Sequence, residues 1–298
     1  MRIYGHCRFS WFGISDTGRE IRDVEDARAR LWHPQRMAIR FHLFERLMLP
    51  SLAAQTDPDF TLLVTLSEDM PQVYQTRLDS IVAGHPFVRL NRTLSRDYAQ
   101  MIDPFMQETT AGGTERAAHF RLDDDDALPA SYIARLRRDA DRVETGALIC
   151  YPSGIVGYLH QGRAYHGFRR ISFHAQGLAR VAGPGMIRSP LHMQHRSMGA
   201  WAPSYVDPGF VGFHFTQHGV NNTKGYGATV HSGGVDDGFV EKMAHANPDL
   251  ARGLATSPAC DAAMADSFPF ADGPAIRAML AETNDPAALC AAYGFGAP

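Results

Sequence analysis

The sequence predicts an α/β fold built on a mainly parallel sheet. Two observations carry this: apolar runs of strand length alternate with helical patterns between residues 31 and 151, and proline or glycine punctuates the changes. The 298 residues, 45% of them hydrophobic, suffice for one large or two modest domains with a sizeable core. A net charge of -3 gives no general attraction to nucleic acid or anionic lipid. No apolar run reaches the roughly 18 residues of a membrane span, and MRIYGHCRFSWFG lacks the order of a secretory signal, so a cytoplasmic protein is expected. Cys7, Cys150, Cys260 and Cys290 are too scattered for a zinc knuckle or disulfide framework and read as buried free thiols.

In chain order, a helix is predicted from Pro34, a residue suited to a first turn. Met37, Phe41, Phe44 and Met48 form its apolar stripe, and Pro50 bends or ends its first part. FTLLVTL (60–66) reads as a buried strand. Pro71 opens a second helix through Val73, Leu78 and Ile81, closed by Gly84 before the short strand FVRL (87–90). A third helix covers 95–108 and breaks at AGG. AAHFRL (117–122) is the next strand, PASYIARLRRDADRV (129–143) an amphipathic helix, and GALICY (146–151) another strand.

Beyond residue 152, glycine, histidine and aromatic residues become frequent and helical periodicity weakens. GIVGYLH (154–160), AYHGFRR (164–170) and FVGFHFTQ (210–217) read as strands joined by loops. The tail from Pro269 returns to short helices and reads as peripheral packing. No repeat or low-complexity linker intervenes, so a single continuous domain over residues 1–298 is expected.

Parallel strands carry their carboxyl ends to one edge of a sheet, where ligands bind. Ser67-Glu68-Asp69 and Asp123-Asp124-Asp125-Asp126 should therefore share a rim. A Mg²⁺ or Mn²⁺ ion takes oxygen ligands, completed by substrate phosphates and water, and would neutralise the second cluster. In an extended segment Asp123 and Asp125 point to one side and Asp124 to the other, so the first two are aimed at the ligand. The plainer reading is a strand-to-helix loop whose acids favour the positive end of the following helix.

LMLPSLAAQTDPDFTLLVTLSED (47–69) resembles the first helix, Gln-Thr turn and acid-tipped second strand of GT-A nucleotide-sugar glycosyltransferases, and RLDDDDAL (121–128) resembles their Asp-x-Asp motif. Together with CRFSWFG near the start and QHGVNNT (217–223), the ordered set resembles the bacterial rhamnosyltransferase family. The resemblance implies a GT-A-like nucleotide-diphospho-sugar transferase, with residues 1–151 as nucleotide-binding half and 152–298 as acceptor-binding half with C-terminal helices. It implies a metal-dependent transfer of a sugar, rhamnose by the family label, from a nucleoside diphosphate sugar donor to a carbohydrate or glycan acceptor. Asp123 would contact ribose or a metal-bound water, Asp125 would ligate the metal, and Arg8, Glu68 or Asp69, Arg121 and Asp124 would line the donor pocket. Ser-Glu-Asp-Met replaces the usual Asp-Asp-Gly-Ser after the second strand, and the later Glu-Asp pair has no counterpart.

A group must then accept the acceptor hydroxyl's proton. LHMQH (191–195) stands about where it is expected, which nominates His195 and His192, with Asp207 as an alternative. His218 is a candidate third metal ligand, or else a loop histidine bonded to neighbouring backbone. Asn221 and Asn222 are candidates for bonding sugar or phosphate oxygens. Trp11, Trp32, Trp201, Tyr158 and Tyr165 read as packing, and KGYGA (224–228) lacks P-loop spacing. Two rival classes remain: a nucleotidyltransferase making an activated sugar, whose basic triphosphate loop GHCRFSWFG does not supply, and a calcium-dependent carbohydrate-binding module.

Overall fold

The computed structural model describes residues 1–14, 21–192, 194–221, 234–248 and 258–296. Its strands are β1 (Arg2–Arg8), β2 (Thr61–Ser67), β3 (Val88–Thr93), β4 (Ala117–Arg121), β5 (Leu148–Cys150), β6 (Ser153–His160), β7 (Arg163–Arg170), β8 (Ala179–Ala182), β9 (Ser204–Val206) and β10 (Val211–Gln217). The helices of interest are α1 (Val24–Ala29), α2 (Pro34–Leu43), α3 (Leu49–Ala53), α4 (Gln72–Val82), α5 (Tyr98–Thr109), α6 (Tyr132–Ala140), α7 (His195–Met198) and α8 (Asp237–Ala246). A seven-stranded sheet runs β3-β2-β1-β4-β8-β5-β9, and β10-β6-β7 form a second, smaller sheet. In the large sheet only β8 opposes its neighbours, so the expected mainly parallel α/β architecture is met.

Alternation along the strands makes the two faces of the large sheet unlike. One face presents Ile3, Cys7, Leu62, Val64, Ala118, Phe120, Val181 and Ile149 to Met37, Phe41 and Phe44 of the α2 segment and to Tyr132, Ile133 and Leu136 of α6. Position 5 on this face is glycine because a Cβ there would come within 2.5 Å of the Phe120 ring. The opposite face is polar: Tyr4, His6 and Arg8 of β1, His119 and Arg121 of β4, and Arg180 of β8. Helix α5 covers part of it with Met101, Ile102, Phe105 and Met106. Beneath α5 the rings of Tyr4, His119 and His6 stack at 5.3 and 5.2 Å, with a 3.0 Å hydrogen bond between the two imidazoles.

Several expectations need correction. Pro50 does not end the first helix; a π turn, Phe44–Met48, absorbs the missing N–H and the chain stays helical to Ala53. Val73 is exposed; α4 buries the expected Leu78 together with Tyr74 and Gln75. Strands β8 and β9, which the sequence pattern did not announce, come from beyond residue 152 and enter the large sheet, so the two halves interleave. Neither strand exceeds four residues, too short for a readable alternation. The C-terminal tail is not peripheral: Ile276, Met279, Leu289 and Phe295 belong to the main core, and Phe295 meets Phe41 at 5.5 Å. All four cysteines are free and buried. Among the described residues no helix is long and apolar enough to cross a membrane.

Candidate active site

The four aspartates follow β4 in a turn closed by a hydrogen bond from the Asp126 amide to the Asp123 carbonyl (3.3 Å). Two backbone bonds between Ala127 and His214 (2.9 and 2.8 Å) then tie the chain to β10, so the quartet is clamped between the sheets. The four side chains have different fates. Asp123 keeps 33% of its side chain exposed, whereas Asp124, Asp125 and Asp126 are buried.

The positive charge that makes this burial tolerable comes from inside the chain. Arg40 of α2 donates through Nε to Asp124 Oδ2 (3.1 Å) and through Nη1 to Asp125 Oδ2 (2.5 Å), and its Nη2 meets Asp124 Oδ1. Asp124 is thus a structural anchor facing the helix and not a lining of the donor pocket. Arg40 was no sequence candidate, yet a signal existed. It stands between Met37 and Phe44 on the stripe that α2 buries, where a cation needs a buried partner. Arg36, one turn earlier, is also buried and bonds Ser10 Oγ (3.0 Å) and the Leu31 carbonyl (2.7 Å).

Asp125 is reached from the other side by His218 Nε2 (3.0 Å) and Asn221 Nδ2 (3.3 Å). Burial pushes this carboxyl up, but Arg40 and His218 outweigh it and hold Asp125 down at about 2. For Asp126, burial and the neighbouring Asp125 and Asp123 charges push the carboxyl well above the usual range. It accepts from the Thr216 amide (2.8 Å) and from the Gln176 side chain. Asp123 is lowered despite burial, chiefly by Arg121 and then Arg8. These two arginines sit on adjacent strands of the polar face. Arg121 is 3.4 Å from Asp123 Oδ1, and its buried Nε has no partner among the described residues. Buried Gln176 Oε1 and His174 Nδ1 are likewise unpaired there. Such atoms are what a ligand of matching polarity would satisfy.

His195 opens α7 at this rim. Its Nδ1 lies 2.6 Å from the Phe173 carbonyl, which can only accept, so the neutral ring carries its lone pair on Nε2. Burial and then Arg121 lower its pKa, against the Phe173 bond and Asp123, which raise it. His195 is therefore a neutral base near pH 7, within electrostatic reach of Asp123.

Other candidates stand differently. His192 bonds Asp103 (3.1 Å) through Nε2 and takes the Ser189 amide (3.0 Å) on Nδ1, so both nitrogens serve the wall formed with α5. Asp207 follows the edge strand β9, three strands from β4, and is bound there by Arg135 and by the Gly209 amide (2.9 Å). Glu68 and Asp69 end β2 on the expected edge, but β2 is two strands from β4, a lateral offset of roughly 10 Å at ordinary strand spacing. His218 reaches Asp125, yet Nε2 is spent on it and Nδ1 accepts from the Val220 amide (3.4 Å). In this arrangement it orients Asp125 and offers no nitrogen to a metal. Asn222, Met193 and KGYGA (224–228) lie outside the described residues.

Among the described residues no three His, Cys, Asp or Glu side chains converge as a protein-only metal site. A Mg²⁺ or Mn²⁺ ion completed by diphosphate oxygens and water needs only one or two carboxylates, and Asp123 with Asp125 fits that donor set.

A mainly parallel α/β sheet whose central strand ends in an aspartate run at a polar rim is the arrangement that the resemblance of its motifs to GT-A enzymes implied. The model of the family described as "Putative rhamnosyl transferase" matches residues 2–229, and the chain belongs to this family. No curated protein matches it. Among solved structures it is similar to S. aureus TarS 1-349 in complex with UDP, at 10% identity and a TM-score of 0.38, over 73% of this chain and 61% of that one. A second S. aureus TarS structure matches at 10% identity and TM-score 0.39, over 72% of this chain and 37% of that one. A 4-diphosphocytidyl-2C-methyl-D-erythritol synthase matches at 15% identity and TM-score 0.32, over 70% and 89%. The chain thus spans about three fifths of TarS 1-349.

Proposed function

We propose that this protein is a glycosyltransferase that moves a sugar, rhamnose by the family's description, from a nucleoside diphosphate donor to a carbohydrate acceptor, with Mg²⁺ or Mn²⁺ as cofactor. The carrying observation is the division of labour within the quartet. Arg40 fastens Asp124 and part of Asp125 to the core, which leaves Asp123 half-open beside Arg121. Asp123 and Asp125 would hold the ion, which when bound offsets charge on the departing diphosphate. Arg121 and Arg8 supply further donors toward its oxygens. His195 Nε2 takes the acceptor hydroxyl's proton as that oxygen bonds to the anomeric carbon and the carbon–oxygen bond to the diphosphate breaks, freeing the nucleoside diphosphate. Buried free thiols agree with a cytoplasmic setting.

The test is a thermal-shift panel of nucleoside diphosphates, triphosphates and diphospho-sugars, with and without Mn²⁺, on wild type and Asp125→Asn. Stabilisation by diphosphates that requires the ion and disappears in the variant is expected. An unchanged response in the variant removes the assigned site. Preference for a triphosphate favours the nucleotidyltransferase, and a response to calcium alone the binding module.

A second reading has its own support. Arg40, Arg121 and Arg8 already balance the charges of Asp123, Asp124 and Asp125. On that count the aspartates need no ion to neutralise them, and diphosphate binding that survives chelation would establish a metal-independent mode.

A further inference from the structure

The polar face of the large sheet continues past Arg121 into a cavity of about 270 Å³ that the donor site does not use. Its walls are Arg180, Met186, Arg188, Met198, Trp201 and Ala202. Arg180, on β8, is only 6% exposed, and its guanidinium bonds neutral acceptors, the Gly146 carbonyl (3.2 Å) and Met186 Sδ (3.5 Å). Arg188 is exposed on the same hollow. Neither arginine has a carboxylate partner among the described residues, although a buried cation ordinarily requires one. Each also repels the other: after burial, Arg188 is the next cause lowering Arg180. At the mouth stands Trp201, 76% exposed, a flat apolar ring beside two cations.

The cavity shares a chain segment with the candidate base. α7 begins at His195 and ends at Met198, whose carbonyl accepts from the Trp201 amide (2.9 Å), so one short segment carries both the imidazole and the cavity wall. Arg180 pairs with His119, two residues before Arg121 on the neighbouring strand, which sets Arg180 and Arg121 roughly 8 Å apart by strand spacing.

We propose that this cavity binds the acidic group of an anionic sugar, a carboxylate or phosphate held by Arg180 and Arg188 with the ring against Trp201. Resting on the glycosyltransferase reading, it makes the acceptor an acidic saccharide whose neighbouring hydroxyl is presented to His195. Planar guanidinium groups suit either oxyanion, and an aromatic face suits the apolar side of a sugar ring.

Tryptophan fluorescence tests it, because Trp11 and Trp32 are buried and Trp201 is the exposed reporter. Glucuronate, glucose 6-phosphate and glucose are titrated into wild type, Arg188→Ala and Arg188→Glu, with calorimetry as a readout independent of Trp201. Arg188 is exposed, so both variants are expected to fold. The acids should perturb the emission while glucose does not. Arg188→Ala should weaken them about tenfold, the worth of one charge-assisted contact, and Arg188→Glu should abolish binding. Whichever acid binds tighter identifies carboxylate or phosphate as the natural group. Equal binding of glucose, no binding of either acid by both readouts, or indifference to Arg188→Glu overturns the proposal. Diphosphate binding measured on the same variants separates the two readings. It should persist in both Arg188 variants, whereas its persistence in Asp125→Asn would defeat the donor site and leave the anion cavity standing on its own titration.

Discussion

Two strands of the large sheet end in acids, and their fates differ. At the end of β2, Glu68 is exposed and Asp69 half-buried, with no ion-pair partner among the described residues. At the end of β4, three of four aspartates are buried and held by Arg40, Gln176, Thr216, His218 and Asn221. The difference lies in what stands behind each strand end. Helix α2 brings an arginine on its buried stripe to the acids after β4, while after β2 the chain buries the apolar Met70 and brings only backbone groups and Gln75 to the strand end. Charge proximity alone therefore does not make a site; a cation built into the core converts a repulsive run into a rigid one.

The most damaging way to break this contrast is to remove the cation. Arg40→Met keeps the volume of the helix stripe but leaves Asp124 and Asp125 buried without their partner, and we expect a loss of about 3–5 kcal/mol in urea unfolding. A loss under about 1 kcal/mol would mean that the quartet is held by its neutral hydrogen bonds. Gain of stability in Arg40→Met combined with Asp124→Asn, relative to the single variant, would sharpen the assignment to that pair.

How much of this was readable beforehand follows the same division. The mainly parallel strands, the acidic strand ends and the family motifs were legible because each is a local run: a buried strand, a Pro or Gly stop, an acid cluster. The short insertions β8 and β9 were not, since strands of three or four residues carry no usable period. Strand alternation singled out Asp123 and Asp125, whereas Arg8 and Arg121 were named only through the family resemblance. Arg40 escaped notice because its partner is 84 residues away, and only the helix's buried stripe hinted that an arginine there must meet an acid. The roles of His192 and Asp207 depend on long-range partners, Asp103 and Arg135, that no spacing rule exposes.

The next effect concerns catalysis at the β4 end. His195→Gln preserves a polar side chain but no proton acceptor of suitable strength, and kcat/KM should fall by about 10²–10⁴ while diphosphate affinity holds. Because His195 is lowered from its ordinary value, the acid limb of the wild-type kcat/KM profile should lie below pH 6.5: activity is full where the imidazole is neutral and is lost as the pH falls through its pKa. A limb that stays in place in His195→Gln would assign the base elsewhere.

Chelation probes the open side of the quartet, and a smaller change is expected. Removing Mg²⁺ or Mn²⁺ should weaken diphosphate binding about tenfold or more, with residual affinity from Arg121 and Arg8. Loss of that residue in Arg121→Ala under chelation, with little loss in Arg180→Ala, would show that the arginines nearest Asp123 carry it.

The smallest effect belongs to the other strand end. In Glu68→Gln combined with Asp69→Asn, neither side chain loses an ion pair, and Glu68 keeps the backbone bonds of its amide to the Thr93 carbonyl (3.0 Å) and of its carbonyl to Gln75 Nε2 (3.0 Å). Stability should stay within about 0.5 kcal/mol of wild type, as for most exposed substitutions. Diphosphate affinity should also hold, because this pair lies two strands from Asp123, and only discrimination among nucleosides should respond. A loss of diphosphate affinity as large as that of Asp125→Asn would mean that the two acidic ends act as one site, and the contrast drawn from their burial would then describe folding without describing function.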